Sequence, residues 1–155
     1  ASKPFVLIHS DIWAPSHISS ITNKKWFITF TDDHTRVCWV YLLKEKSEVR
    51  DIFRQFHTMV KTQFDENIKF LRTDNGTEFF NNTLGEFVTS SGIIHQSSCV
   101  STPQQNGVSE RKNRHILEVA RSLLFTANLP KTFWGDAVLT ATYVINRVPS
   151  RVLKF

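Results

Sequence analysis

The order of hydrophobic and polar positions predicts three strands at the start of the chain. Each of three segments is rich in aromatic and β-branched residues, which is the usual composition of strands. The segments are Phe5–Trp13, Lys25–Thr31 and Val37–Leu43. The polar sequence Asp32–Arg36 favours a turn, so we expect the second and third strands to form an antiparallel hairpin with the first strand beside it.

Further along the chain, helical and strand-like patterns alternate. From Ser47, a plausible N-cap, to Phe64, apolar residues recur at steps of three and four, which predicts an amphipathic helix. The remaining predicted elements are strands at Ile68–Thr73 and Ile93–Gln96 and helices at Thr83–Ser91, about Asn106–Ala127 and about Lys131–Val148. This order predicts an α/β fold with a mixed five-stranded sheet and helices on both of its faces.

Length and composition narrow the class of protein. The chain has 155 residues, of which 41% are hydrophobic, so it fits a single domain with a substantial core. No apolar run approaches the roughly 18 residues that a membrane span needs, and we expect no membrane partner. Cys38 and Cys99 lie far apart and outside any C-x-x-C spacing, which favours two reduced thiols over a disulfide or a zinc site.

The charge of +5 is concentrated in the last third of the chain. Residues 111–155 contain eight basic and two acidic side chains, whereas residues 1–110 contain 11 basic and 12 acidic ones. A basic stretch of this kind is typical of a surface that binds a phosphate backbone, although a solvated helix face has the same pattern. The charge alone therefore leaves both interpretations open.

Three acidic residues stand where the predicted fold would bring them together. Asp11 interrupts the first strand, Asp74 follows the fourth strand, and Glu110 lies about one turn into the long basic helix. Carboxylates that share a site repel one another unless a cation lies between them, and Mg²⁺ and Mn²⁺ prefer oxygen ligands. Two such ions can stabilise the attacking and leaving oxygens in a displacement at phosphorus. The pattern favours metal-dependent phosphoryl transfer on nucleic acid.

Other interpretations of these acidic residues stay open at this point. Asp74 precedes Asn-Gly and is also typical of a turn, whereas an unpaired charge at Asp11 inside an apolar strand would be costly. Asp32 and Asp33 are more typical of turn residues than of ligands. Glu78 is the best rival ligand, as a neighbour of Asp74.

The motifs around the three acids resemble those of retroviral and retrotransposon integrases. Asp74 and Glu110 are separated by 35 residues, which is the D,D-35-E spacing of that family. Three segments resemble the motifs that surround the three acids, and two resemble sequences of the Ty1/copia class of retrotransposons. In chain order these are His9–Pro15, Leu71–Phe79, Thr102–Arg111, Phe133–Ala137 and Ile145–Ser150.

The resemblance implies an RNase H-like integrase catalytic core, a polynucleotidyl transferase that trims DNA 3′ ends and joins them to target DNA. It implies that Asp11, Asp74 and Glu110 are the catalytic triad and hold two Mg²⁺ or Mn²⁺ ions. DNA contacts are expected from Gln104, Gln105 and Asn106 in the loop before the helix, and from Arg111, Asn113 and Arg114 on the helix.

The resemblance also implies partners and a wider context. We expect element and target DNA as partners, a homo-oligomer, and action in the nucleus after a cytoplasmic particle stage, without secretion. Residues 1–155 are expected to be one domain of a longer polyprotein, without the family's zinc-binding N-terminal module and its C-terminal region.

Three other functions remain as alternatives. A different RNase H-like nuclease would use the same chemistry with another spacing of the last acid. An inactive relic of a retroelement would bind nucleic acid without catalysis, although all three acids are intact. A glycosidase also uses paired carboxylates, but it needs neither a third acid nor a basic helix.

Overall fold

The computed structural model describes residues 1–13, 17–74, 82–97, 106–149 and 151. These residues form one mixed sheet with the strand order β3-β2-β1-β4-β5. The strands are β1 (Leu7–Trp13), β2 (Trp26–Asp32), β3 (Cys38–Leu43), β4 (Phe70–Thr73) and β5 (Ile94–Ser97). β1, β2 and β3 pair antiparallel, whereas β4 and β5 run parallel to β1, which confirms the predicted mixed five-stranded sheet.

Four α-helices accompany the sheet within the described residues. They are α1 (Val49–Phe64), α2 (Asn82–Ser90), α3 (Gly107–Thr126) and α4 (Trp134–Ile145). Short 3-10 turns at Lys46–Glu48 and Lys131–Phe133 lead into α1 and α4. None of the described helices is both long enough and apolar enough to cross a membrane.

The alternation of side chains along β1 and β2 divides the core into two layers. Ile8, Ile28 and Phe30 face α1 and α2, where Phe30 stacks on Phe56 with ring centroids 4.5 Å apart. Phe27 faces α3 and α4, together with buried residues of those two helices. The polar residues Asp11 and Thr29 belong to this second face, so they point towards α3 rather than towards α1.

The beginning of α1 differs from the prediction. Ser47 is not the N-cap, because it lies inside the 3-10 turn Lys46–Glu48, and the helix proper starts at Val49. The carboxylate of Glu48 instead accepts the backbone N–H groups of Lys44 and Glu45, at 2.6 and 2.7 Å. Glu45 is the N-cap of this turn and forms a capping box with Glu48, so Ser47 lies inside the turn rather than at its start.

The acidic turn between β2 and β3 is structural, as the sequence suggested. Asp32 is fully buried, and its carboxylate accepts the backbone N–H groups of Phe5 and Thr35 and the Thr35 hydroxyl. Asp33 forms a hydrogen bond with His9 at 2.8 Å and an ion pair with Arg36 at 3.3 Å. These bonds assign both carboxylates to the turn, which leaves Asp11 as the acidic residue of the sheet that faces α3.

Candidate active site

The register of the sheet places the first two acids side by side. β1 and β4 are parallel neighbours, and Leu7, Ile8 and His9 pair with Phe70, Leu71 and Arg72. Continuation of this register by two residues sets Asp11 beside Asp74, directly after the last residue of β4. Both side chains are partly buried. The parallel pairing of two strands that are distant in sequence therefore brings these carboxylates to one edge of the site.

Glu110 approaches the same place from α3. It lies in the first turn of that helix and is exposed, whereas Ser109 and Asn113 on the adjoining face are buried against the sheet. The contact of α3 with β1 is fixed by a hydrogen bond of 3.0 Å from Asn113 Nδ2 to Asp11 Oδ2. Because residues three apart in a helix are neighbours, Glu110 lies next to the residue that contacts Asp11.

The electrostatics of Asp11 show that the three acids influence one another. Burial raises the pKa of Asp11, and the negative charges of Asp74 and Glu110 raise it further, to about 7. The backbone N–H of Ile12, 3.0 Å from Asp11 Oδ1, and the amide of Asn113 act in the opposite direction. A carboxylate whose ionisation is this unfavourable is a good candidate for a cation ligand, because a cation removes the repulsion.

The carboxylate oxygens are suitable ligands for a hard divalent cation, but the three carboxylates are not close enough together to form a complete metal site. Three carboxylates offer only oxygen ligands, which suits Mg²⁺ or Mn²⁺. Among the described residues, however, no three His, Cys, Asp or Glu side chains lie close enough together to hold a metal ion as they stand. Glu78, the rival ligand, lies outside the described residues. The metal-ligand assignment of Asp11, Asp74 and Glu110 therefore stays a prediction.

Asn113 has a different place from the one expected of a DNA contact. It is only 5% exposed, and both ends of its amide are engaged inside the protein. Nδ2 donates to Asp11, and Oδ1 accepts the Thr29 hydroxyl at 2.9 Å. Asn113 therefore links β2 and α3 to Asp11, and we interpret it as a positioning residue. A contact between Asn113 and DNA stays a prediction, and it would require this amide to exchange its internal partners.

The other expected DNA contacts divide into exposed and buried residues. Arg111 and Arg114 are exposed on the first half of α3 and are free to meet a ligand. Asn106 is 2% exposed and lies directly before the helix, so it would reach DNA only after a rearrangement. Gln104 and Gln105 lie outside the described residues.

Sequence reasoning overlooked Thr29. Its side chain is fully buried on the face of β2 that meets α3, and Thr29 pairs with Asp11 across the sheet. The sequence contained one signal, because Thr29 is a polar residue within the otherwise aromatic and apolar stretch Trp26–Phe30. Only the pairing of β1 with β2 shows that this position adjoins Asp11.

The sequence predicts that Cys38 and Cys99 are reduced thiols, and the structure describes only the first of them. Cys38 is a free, buried cysteine, and burial raises the pKa of its thiol to about 11. Such a thiol is protonated and unreactive at neutral pH, as expected for a structural residue. Cys99 lies outside the described residues.

Comparisons with known proteins agree with this architecture. The family described as "Integrase core domain" matches residues 1–103. The Pol polyprotein of transposon TNT 1-94 from Nicotiana tabacum is 47% identical over 149 residues, which cover 96% of this chain and 11% of the polyprotein. The Pol polyprotein of transposon RE2 from Arabidopsis thaliana is 44% identical over 154 residues, which cover 99% of this chain and 10% of that protein. The chain thus spans about a tenth of these relatives.

Solved structures with the same fold include the HTLV-2 integrase catalytic core domain in complex with magnesium. It matches with a TM-score of 0.69 and 21% identity, over 96% of this chain and 89% of that chain. A chain of the simian T-cell lymphotropic virus intasome matches with a TM-score of 0.72 and 20% identity, over 94% of this chain and 50% of that chain. The fold is therefore the RNase H-like α/β fold that these catalytic cores share.

Proposed function

Because the chain belongs to the integrase core domain family, we propose that it catalyses divalent-metal-dependent phosphoryl transfer on DNA as the core of a retrotransposon integrase. The proposed reactions are trimming of the 3′ ends of element DNA and joining of those ends to target DNA. The proposal includes Asp11, Asp74 and Glu110 as the catalytic carboxylates. The domain is proposed to act as one segment of a longer polyprotein.

One observation carries the proposal. Burial and the negative charges of Asp74 and Glu110 raise the energy of the ionised state of Asp11, although both of these acids lie far from it in the sequence. Repulsion between these carboxylates destabilises the folded state, and a divalent cation bound between them would relieve it. The basic first half of α3 adjoins the same carboxylates and offers positive charge to the phosphates of DNA.

The chain's own residues have distinct proposed roles. Asp11, Asp74 and Glu110 would hold Mg²⁺ or Mn²⁺, up to two ions, which when bound would activate the nucleophile and stabilise charge on the leaving oxygen. Asn113 orients the Asp11 carboxylate, and Thr29 orients the amide of Asn113. Arg111 and Arg114 would bind DNA phosphates beside the reacting group, with Gln104, Gln105 and Asn106 as further proposed contacts from the preceding loop.

The proposed partners are element DNA, target DNA and further copies of the chain. The relatives of known structure include dimeric and trimeric forms of an integrase catalytic core and an intasome. We also propose action in the nucleus, after a stage in a cytoplasmic particle, because target DNA is chromosomal. A single copy offers one set of three acids, whereas integration joins two DNA ends, which supports an oligomer.

The test is reversal of strand transfer on a branched DNA substrate. The purified chain is incubated with Mg²⁺ or Mn²⁺ beside Glu110→Gln, which keeps the shape of the side chain but removes its charge. We expect metal-dependent product from the parent chain and a loss of at least about 100-fold in the variant, because a charge needed in the transition state is missing.

A matched control separates catalysis from folding. Glu118→Gln removes an equivalent exposed carboxylate two turns further along α3 and should leave the rate nearly unchanged. Circular dichroism and DNA binding of all three proteins should be similar. Metal-dependent product that persists in Glu110→Gln would contradict the assignment. Folded chains that bind DNA but give no product would favour an inactive nucleic-acid-binding relic.

A further inference from the structure

A groove rich in basic side chains lies between α3 and the turn that joins β2 to β3. It has a volume of about 340 Å³ and is lined by Arg36, Val108, Arg111, Lys112 and His115. Two arginines and a lysine thus face one opening, and no carboxylate is among its five lining residues. The volume is far larger than the roughly 30 Å³ share of one water molecule, so the groove has room for a hydrated anion.

Four of the five residues that line the groove lie on one face of α3. Val108, Arg111, Lys112 and His115 follow one another at steps of three, one and three, which places them on one side of α3. The buried face of the helix is elsewhere, at Ser109, Asn113, Ile116 and Ala120. The groove therefore belongs to the side of α3 that turns away from the sheet and towards Arg36.

The positive charges in the groove have little compensation from the protein. Arg36 pairs with Asp33 at 3.3 Å, but the described residues provide no carboxylate within 4 Å of the charged groups of Arg111 or Lys112. Like charges held together in this way favour an anionic ligand.

The groove lies within reach of DNA that is bound at the carboxylates. Asp11 pairs with Thr29 on β2, and the turn that carries Arg36 begins after Asp32, three residues further along the strand. Three residues of a strand span about 10 Å, which equals about three base-pair steps of a duplex. Glu110, Arg111, Arg114 and His115 are all exposed, so a continuous surface of α3 joins the carboxylates to the groove.

We propose that this groove binds the phosphodiester backbone of a DNA strand that leaves the carboxylates and crosses α3. The identity of the ligand as DNA rests on the proposed function. The groove adds Arg36, Lys112 and His115 to the residues of this chain that are proposed to bind DNA. A backbone phosphate in the groove is proposed as the group that Arg111 binds. Its contacts are with phosphates, so they strengthen binding without selecting a base sequence.

The test measures DNA binding in the catalytically silent Glu110→Gln background, so that chemistry cannot influence the result. Fluorescence anisotropy with a duplex DNA gives the dissociation constant from 0.05 to 0.3 M salt. The double variant Arg111→Gln, Lys112→Gln removes two charges of the groove. We expect binding at least about tenfold weaker at 0.1 M salt and a log–log salt slope smaller by about two.

The matched control is Arg54→Gln, Lys61→Gln, which removes one arginine and one lysine from exposed positions of α1, in the layer on the other face of the sheet. Its slope should remain that of the parent chain. If the control reduces the slope equally, or if the groove variant leaves it unchanged, the proposal is wrong. If circular dichroism shows that the double variant is unfolded, the single variant Arg111→Gln replaces it, because this side chain is exposed. Its log–log salt slope should be smaller than that of the parent chain by about one.

A second duplex distinguishes phosphate contacts from other causes. In this duplex an uncharged methylphosphonate patch replaces the phosphates three to five steps from the bound end. The groove variant and its parent should bind it equally, and a persistent difference would overturn the proposal. Failure of the proposed function would give a different result. The parent chain would then form no Glu110-dependent product, although the groove variant would still bind DNA more weakly than its parent.

Discussion

At the scale of single residues, Asn113 explains how a carboxylate is held ready at a site that disfavours its charge. Its amide donates to Asp11 Oδ2 at 3.0 Å and accepts from the Thr29 hydroxyl at 2.9 Å. The hydroxyl also lies 3.4 Å from the backbone oxygen of Asp11. A chain of hydrogen bonds within one buried cluster fixes the rotamer of the amide, which in turn fixes the orientation of the carboxylate.

Asn113→Ala should therefore impair the reaction more than DNA binding. Loss of the donated hydrogen bond removes an interaction that lowers the pKa of Asp11, so the pKa rises and the acidic limb of the pH–rate profile moves to higher pH. The lost bonds should also reduce the free energy of unfolding by about 1–3 kcal/mol, because the Thr29 hydroxyl loses its partner. The pH–rate profile of the strand-transfer reversal, together with urea unfolding, measures both effects.

Arg114→Ala is the control for this prediction, because Arg114 follows on the same helix but is exposed. It should weaken DNA binding and reduce its salt dependence while the pH–rate profile stays in place. An unchanged pH profile in Asn113→Ala, with ordinary loss of stability, would make Asn113 a purely structural residue.

At the scale of elements, the end of α2 shows which local signals in the sequence were sufficient. Gly92 follows the helix with a φ of +72°, a conformation that other residues adopt at a cost. Its N–H donates to the backbone oxygen of Thr89, and that of Ile93 donates to Val88. The glycine ends α2 and directs the chain into β5, as its position after an amphipathic segment predicts.

Two glycine substitutions in the same helix region should have opposite effects on stability. Gly92→Ala should lower the free energy of unfolding by about 1 kcal/mol, because alanine is strained at positive φ. Gly85→Ala, inside α2 with nothing within 4 Å of an added methyl group, should raise it by about 0.5–1 kcal/mol. Urea unfolding of both variants tests this, and a destabilised Gly85→Ala would contradict the account of α2.

The beginning of α1 shows where local signals were insufficient. Ser, Thr, Asp and Asn are the usual N-caps, so the sequence around Ser47 favoured the serine. In the structure a 3-10 turn comes first, Glu45 is its N-cap, and the carboxylate of Glu48 accepts the backbone N–H groups of Lys44 and Glu45. The choice between a serine and a nearby glutamate depends on how the chain enters the helix from β3, which the spacing of residues does not specify.

At the scale of the whole molecule, the site exists only because the fold gathers charges from separate elements. Asp11 comes from β1, Asp74 follows β4, and Glu110 comes from α3. Asp74 and Glu110 alone would be an ordinary turn residue and an ordinary surface residue, and Asp11 alone would be a partly buried carboxylate in a strand. Together with burial, they raise the pKa of Asp11 to about 7, so the metal-free protein bears an electrostatic cost at its own site.

Asp11→Asn should consequently stabilise the metal-free protein. With EDTA at pH 8, removal of the buried negative charge should raise Tm by roughly 2–4 °C for each kcal/mol of repulsion that is relieved. Addition of Mg²⁺ should raise the Tm of the parent chain but have little effect on that of the variant. Differential scanning calorimetry with and without Mg²⁺ measures both differences.

Glu86→Gln provides the comparison, because Glu86 is an exposed acid on α2. Its Tm should differ little from that of the parent, and its response to Mg²⁺ should be the same. A metal-free Asp11→Asn that melts below the parent chain would show that the Asp11 carboxylate stabilises the fold through its hydrogen bonds more than its charge destabilises it.

The sequence by itself determined the elements and their order, and it indicated the three acids as candidates for the site. Periodicity depends on side chains a few residues apart, and the spacing of Asp74 and Glu110 is a property of the chain itself, so both are visible without a structure. The positions of Asp32 and Asp33 in a polar turn were likewise sufficient to assign them to the turn rather than to the site.

Only the tertiary structure decided what surrounds those acids. Thr29 and Asn113 are 84 residues apart in the chain, and Asn113 is 102 residues from Asp11, yet hydrogen bonds join all three. The basic groove likewise needs Arg36 from a turn and Lys112 from a helix. Such neighbours are set by strand register and by the packing of α3 on the sheet, and these depend on burial of the whole core rather than on any local pattern.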